Sequence, residues 1–142
     1  MAIAHRYIDT ENLIVIVWDG TVTAAEWADA VRRQIVDPNW SQARRRLIDA
    51  RTADTSGLRP ADAGAISVIL QRADANVAAV RLAIVASHGR EIARYAENRL
   101  DTPGLTTIVF NDIATANAWL GVDAHSVLEA LSDLRRELRD PR

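Results

Sequence analysis

The sequence predicts an α/β protein built on a mixed sheet of about five strands, and three observations carry that reading. From residue 13 onward, short β-branched runs alternate with segments of helical periodicity, the pattern of parallel strands joined by crossover helices. The run Leu13-Ile14-Val15-Ile16-Val17-Trp18 is apolar on both faces, as a central strand covered from two sides reads. Ahead of it, residues 5–9 read as a strand, and Thr10, Glu11 and Asn12 suit a turn, so the chain opens on an antiparallel hairpin.

The remaining elements follow in order. Gly20 ends the second strand, and Thr23 stands three residues before Glu26, the spacing of a capping box. Trp27, Val31 and Ile35 then recur on one helical face. Pro38 in "DPNW" stops this helix, because the residue before a proline avoids the helical region. Residues 45–51, "RRLIDAR", form the third strand. Pro60 suits the first turn of a helix that runs to about Asn76, with Ile66, Ile69, Leu70 and Ala73 facing inward. The pattern repeats as a strand over 81–87, a helix over 88–100, a strand over 106–112 and a short helix over 113–121 closed by Gly121. The last segment, 123–140, reads as one long helix with Asp123 as its N-cap and a stripe of Val127, Leu131, Leu134 and Leu138. The organisation is thus a domain over residues 1–121 and an amphipathic C-terminal helix over 122–142, packed on the domain or on a second chain.

Composition narrows the chemistry. A chain of 142 residues, 49% hydrophobic and 25% charged, falls in the range of one soluble globular domain. There are no cysteines, which removes disulfides, thiolate nucleophiles and Cys-based metal sites. All 17 basic residues are Arg, so neither a Schiff-base lysine nor a P-loop lysine exists. A net charge of -2 supplies no global attraction to nucleic acid, and Arg44-Arg45-Arg46 reads as a solvated strand edge. No apolar run approaches the ~20 residues of a membrane span, and the N-terminal stretch lacks a long apolar core, so the expected location is cytoplasmic. His5, His88 and His125 show no metal-ligand spacing, and no metal or cofactor is expected.

The order of elements, with "LIVIVWDGTVT", a helix carrying Trp27 and ending in "DPNW", a strand ending in Asp49-Ala50-Arg51, and "ANAWLG", resembles the STAS fold of anti-sigma-factor antagonists. It is most similar to the bacterial proteins described as SpoIIAA-like or STAS/SEC14-like. The resemblance covers roughly residues 5–121 and implies a fold rather than an activity. In the antagonists a phosphorylated residue lies in an Asp-Ser-Ser-Gly-like loop at a helix N-terminus. "DTSGL" resembles that loop, which makes Thr55 and Ser56 candidate phospho-acceptors. Gly57 and Pro60 argue that the helix begins several residues later, and Asp, Thr, Ser and Gly are also ordinary loop residues.

Other candidates come from topology. Asp49 and Arg51, Ser87 and His88, and Asn111 and Asp112 lie at the carboxyl ends of successive strands, where open α/β sheets bind ligands. They form a candidate rim for a ligand or partner. Against that, Asp49 and Arg51 share a face at i and i+2 and suit a structural pair, and Ser87 suits a helix cap. His88 beside Asp112 would make an acid–base pair, but no nucleophile elbow is present. Trp27 and Trp119 belong on helix faces that meet the sheet.

The expected function is a non-catalytic regulatory or interaction protein binding a protein partner, with a homodimer through Val127, Leu131, Leu134 and Leu138 as one form of assembly. A carrier of a lipid or other small apolar ligand is the first alternative. An enzyme using His88, Asp49 and Asp112 is the second.

Overall fold

The computed structural model describes residues 1–73, 79–87 and 104–140. The helix expected over 88–100, and with it His88, lies outside the described residues. The strands are β1 (Ile3–Ile8), β2 (Leu13–Thr21), β3 (Arg45–Asp54), β4 (Val80–Val85) and β5 (Leu105–Phe110). The α-helices among the described residues are α1 (Ala24–Ile35), α2 (Pro60–Ala73), α3 (Ile113–Leu120) and α4 (Ala124–Arg139). The sheet order is β1-β2-β3-β4-β5, with β1 antiparallel to β2 and the other pairs parallel. The α/β class, the five-stranded mixed sheet and the N-terminal hairpin are therefore as expected.

The hairpin turns through a single 3-10 turn over Asp9–Glu11 and Asn12 in the left-handed region at φ 49°. Asparagine tolerates that conformation, and here its Oδ1 also accepts from the Tyr7 hydroxyl at 3.0 Å. Thr23 caps α1 as its spacing predicts, its Oγ1 accepting from the Glu26 amide at 3.1 Å. Glu26 does not close the usual reciprocal bond. Its carboxylate takes the backbone N–H of Ala2 at 3.0 Å instead and ties α1 to the start of β1.

Strands added one after another in one direction, with crossovers of one hand, place their helices on one face. α1 and α2 accordingly pack together over Ile14, Ile16, Trp18, Leu82 and Ile84. Trp18 and Trp27 meet edge to face there, with ring centroids 5.2 Å apart. The opposite face is formed by Leu13, Val15, Val17, Leu47, Ala83 and Val85, and α3 and α4 cover it. β2 thus alternates its apolar side chains between two cores, which is why its sequence shows no polar face.

Three expectations change. The stripe on α4 was open to a second chain, but Val127, Leu131 and Leu134 are buried against this chain's own sheet, α4 packing across β1 and β2. Leu138 is partly buried on the same cluster. Of the two alternatives, packing on the domain is the one this chain adopts. The Arg44–Arg46 run is also not a uniform solvated edge. Arg46 shares the α1/α2 face with Ile14 and Leu82, is only 2% exposed, and lays its guanidinium 3.6 Å from the centre of the Trp40 ring. Finally, β3 continues to Asp54 rather than ending at Arg51. Residues of loop-forming type are held as strand there because Asp19, Gly20 and Thr21 of β2 pair with Thr52, Ala53 and Asp54. Among the described residues, no helix is long and apolar enough to cross a membrane.

Candidate functional site

The site is built on an irregularity in β3. Val17 pairs with Asp49, yet Asp19 pairs with Thr52, so β3 carries one residue more than β2 over this stretch. A bulge of this kind re-aims side chains. Strict alternation would put Thr52 on the face opposite Asp49. With the bulge, Asp49 and Thr52 both reach Arg135 of α4, and Arg51 bonds Asp49 beside them.

Asp49 is fully buried beneath α4. Arg51 grips it as a fork, Nε to Oδ1 and Nη2 to Oδ2, each at 2.9 Å. The Arg51 backbone N–H donates to Oδ1 at 3.1 Å, and Arg135 Nη2 from α4 donates to Oδ2 at 2.7 Å. Beside it, Arg139 makes a second fork onto Asp19, with bonds of 2.8 and 2.9 Å. Thr52 joins the two halves, donating to Asp19 Oδ1 at 2.6 Å and accepting from Arg135 Nε at 3.4 Å. Three guanidiniums and two carboxylates thus fasten the C-terminal half of α4 to the ends of β2 and β3.

Burial alone would raise the Asp49 carboxyl, but the bonds from Arg51 and Arg135 outweigh it and hold the group below the ordinary value of 3.8. The fork from Arg139, opposed by partial burial and aided by Thr52, holds Asp19 low as well. A carboxyl depressed in the folded state stabilises the protein above its unfolded value and loses that contribution as pH falls below it. Stability is therefore expected to be flat near neutrality and to decline once pH drops below about 4. The decline should be shallower in Asp49→Asn, as measured by urea midpoints across an acid series. Parallel acid curves for the two proteins would show that Asp49 does not carry the dependence.

On the outer side of the same arginines lies an open cleft of about 480 Å³. Arg51, Arg135, Arg136 and Arg139 line it, and Leu128 and Leu131 make its apolar part. Asp140 is the carboxylate among its lining residues. Arg136 is 71% exposed and pairs with Asp133 one helical turn away at 3.1 Å.

The five rim candidates among the described residues have separate engagements. Asp49 and Arg51 turn to α4, and of the five, Arg51 lines the cleft. Ser87 and Asn111 are exposed, and His88 lies outside the described residues, so its pairing with Asp112 does too. Asp112 is the N-cap of α3, accepting from the Thr115 amide at 2.8 Å and from its hydroxyl at 3.1 Å. The first of those bonds is the main cause of its lowered carboxyl pKa. Asp112→Ala should lower the thermal stability of the chain, as loss of an N-cap does. Unchanged thermal stability would remove that role.

Of the loop candidates, Thr55 is buried and its carbonyl accepts the Leu58 amide at 3.0 Å. Ser56 is exposed, and its amide donates to Asp54 Oδ1 at 3.0 Å. The helix begins only at Pro60, so neither hydroxyl stands in its first turn. Trp27 is buried in the α1/α2 core, whereas Trp119 is half-buried against Phe110, with centroids 5.6 Å apart. Among the described residues no three His, Asp or Glu side chains are grouped to hold a metal ion.

Sequence reasoning missed Asp19, Thr52, Arg135 and Arg139. The only trace was the i,i+4 spacing of Arg135 and Arg139 along the edge of the α4 stripe. Comparison with protein-family models, with curated proteins and with solved structures returns no match for this chain.

Proposed function

We propose that the protein is a non-catalytic, STAS-like interaction module whose working surface is the arginine cleft beside α4. The single observation behind this reading is the disposition of charge. Asp49 and Asp19 at the strand ends are engaged by arginines, whereas the cleft outside them is lined by four guanidiniums over two leucines. A carboxylate held ionised by two arginines is a poor general base. Arginines fixed from behind are good recognition elements, because little side-chain freedom remains to be lost on binding. The cleft exceeds the ~300 Å³ lower end of small-molecule sites, but it is open and cationic, which suits a purely apolar cargo poorly.

The test is affinity capture from the source cells with tagged wild type and Arg136→Glu. Arg136 is exposed, so the variant should fold normally. The expected result is a stoichiometric protein retained by the wild type and lost by the variant. Identical retained sets for two equally folded proteins would defeat the reading.

A further inference from the structure

We infer that the cleft docks an acidic, amphipathic segment of a partner protein, with carboxylates on the arginines and an apolar side chain on Leu128. This rests on the interaction-module reading and names its partner class.

Shape comes first. The lining residues of α4 run from Leu128 to Asp140, and Leu128 to Arg139 spans roughly 16 Å at the helical rise per residue. That is about three helical turns, long enough for a peptide segment. The cleft is open to solvent. Sites for small molecules bury most of their ligand; an open groove instead covers one side of a chain.

Chemistry is graded along that length. Leu128 is 53% exposed although it is a large apolar side chain, and Leu131 closes the floor beneath it. Arg135, Arg136 and Arg139 follow toward the helix C-terminus, with Arg51 coming from β3. An occupant with one apolar contact at the first end and carboxylates at the other matches this gradient. A lipid tail would leave the arginines unanswered, and a uniformly charged polymer would leave Leu128 in water.

The donors are ready-made. The bonds of Arg51, Arg135 and Arg139 to Asp49, Thr52 and Asp19 use Nε and Nη2. Nη1 of each takes no part in those bonds. Asp49 and Asp19 bond these arginines without lining the cleft, whose own carboxylate is Asp140 at its C-terminal end, while Asp133 pairs with Arg136. Incoming carboxylates would form charge-assisted bonds to donors already held in place.

The experiment is fluorescence anisotropy with a labelled 12-residue peptide carrying Leu at helical spacing and Glu elsewhere. Saturable binding that weakens as salt rises is expected. Arg136→Glu and Leu128→Ser should each weaken it by about tenfold while the chain stays cooperatively folded. Amide chemical shifts should change around Arg51, Ser132 and Arg136. Equal binding by a peptide with Ser replacing Leu, or by an oligothymidylate of the same length, would overturn the inference by reducing it to charge alone. Absence of saturable binding would overturn it as well. If affinity capture still yields an Arg136-dependent partner in that case, the interaction reading survives and only the acidic-segment class falls. If capture fails too, both fall.

Discussion

Removing residues 122–142 is expected to unfold the protein, not to release a folded monomer from a dimer. α4 contributes Val127, Ala130, Leu131 and Leu134 to the core over Leu13, Val15, Val17 and Leu47. Among the described helices, deleting it would leave only α3 on that face of β2 and β3, exposing apolar strands across the middle of the sheet. Each large buried side chain lost costs about 2–5 kcal/mol on truncation. Several together exceed the ~5–15 kcal/mol that stabilises a typical domain. The truncated chain should show no near-ultraviolet circular dichroism and no cooperative urea transition. The graded version is Leu134→Ala, expected to lose about 3 kcal/mol with a urea midpoint independent of protein concentration. A truncated chain that melts cooperatively, or a Leu134→Ala midpoint that shifts with concentration, would show that the stripe works between chains after all.

That contrast also marks what the sequence could convey. Periodicity identified the α4 stripe, because a helix repeats its faces every three to four residues. It could not identify what the stripe meets, since own sheet and second chain demand the same leucines. Local signals did well for the same reason. Thr23 and Asp123 act within three residues of themselves and cap their helices. The arginine network is the opposite case. Arg139 and Asp19 lie 120 positions apart, and Arg135 and Asp49 lie 86 apart. Nothing short-range links them, and a bulge that alternation cannot foresee places Thr52 between them. Arg46 fails for a related reason. Its triplet reads as surface, but the segment after α1 folds Trp40 over it.

Asp49→Ala is expected to lose about 3–5 kcal/mol, the range for breaking a buried ion pair by removing one partner. Asp49 is the hub of the network: it accepts two side-chain bonds and one backbone bond from Arg51 and a fourth bond from Arg135. Without it, Arg135 keeps, among the described residues, its long contact to Thr52, and its side chain, 18% exposed at the edge of the cleft, stays mostly shielded from water. Most of the loss is thus the cost of an unanswered buried charge, not the worth of the pair itself. A double variant separates the two. Asp49→Ala with Arg135→Leu removes the orphaned charge, and apolar replacement of buried ion pairs is often close to neutral, so the double variant should regain more than half of the lost stability. Urea unfolding of wild type, both single variants and the double variant completes the cycle. If the double variant is no more stable than Asp49→Ala, the buried charge is not what the mutation exposes. Asp49 would then act mainly by holding Arg51 at the bulge, and Arg51→Leu would have to reproduce the whole effect.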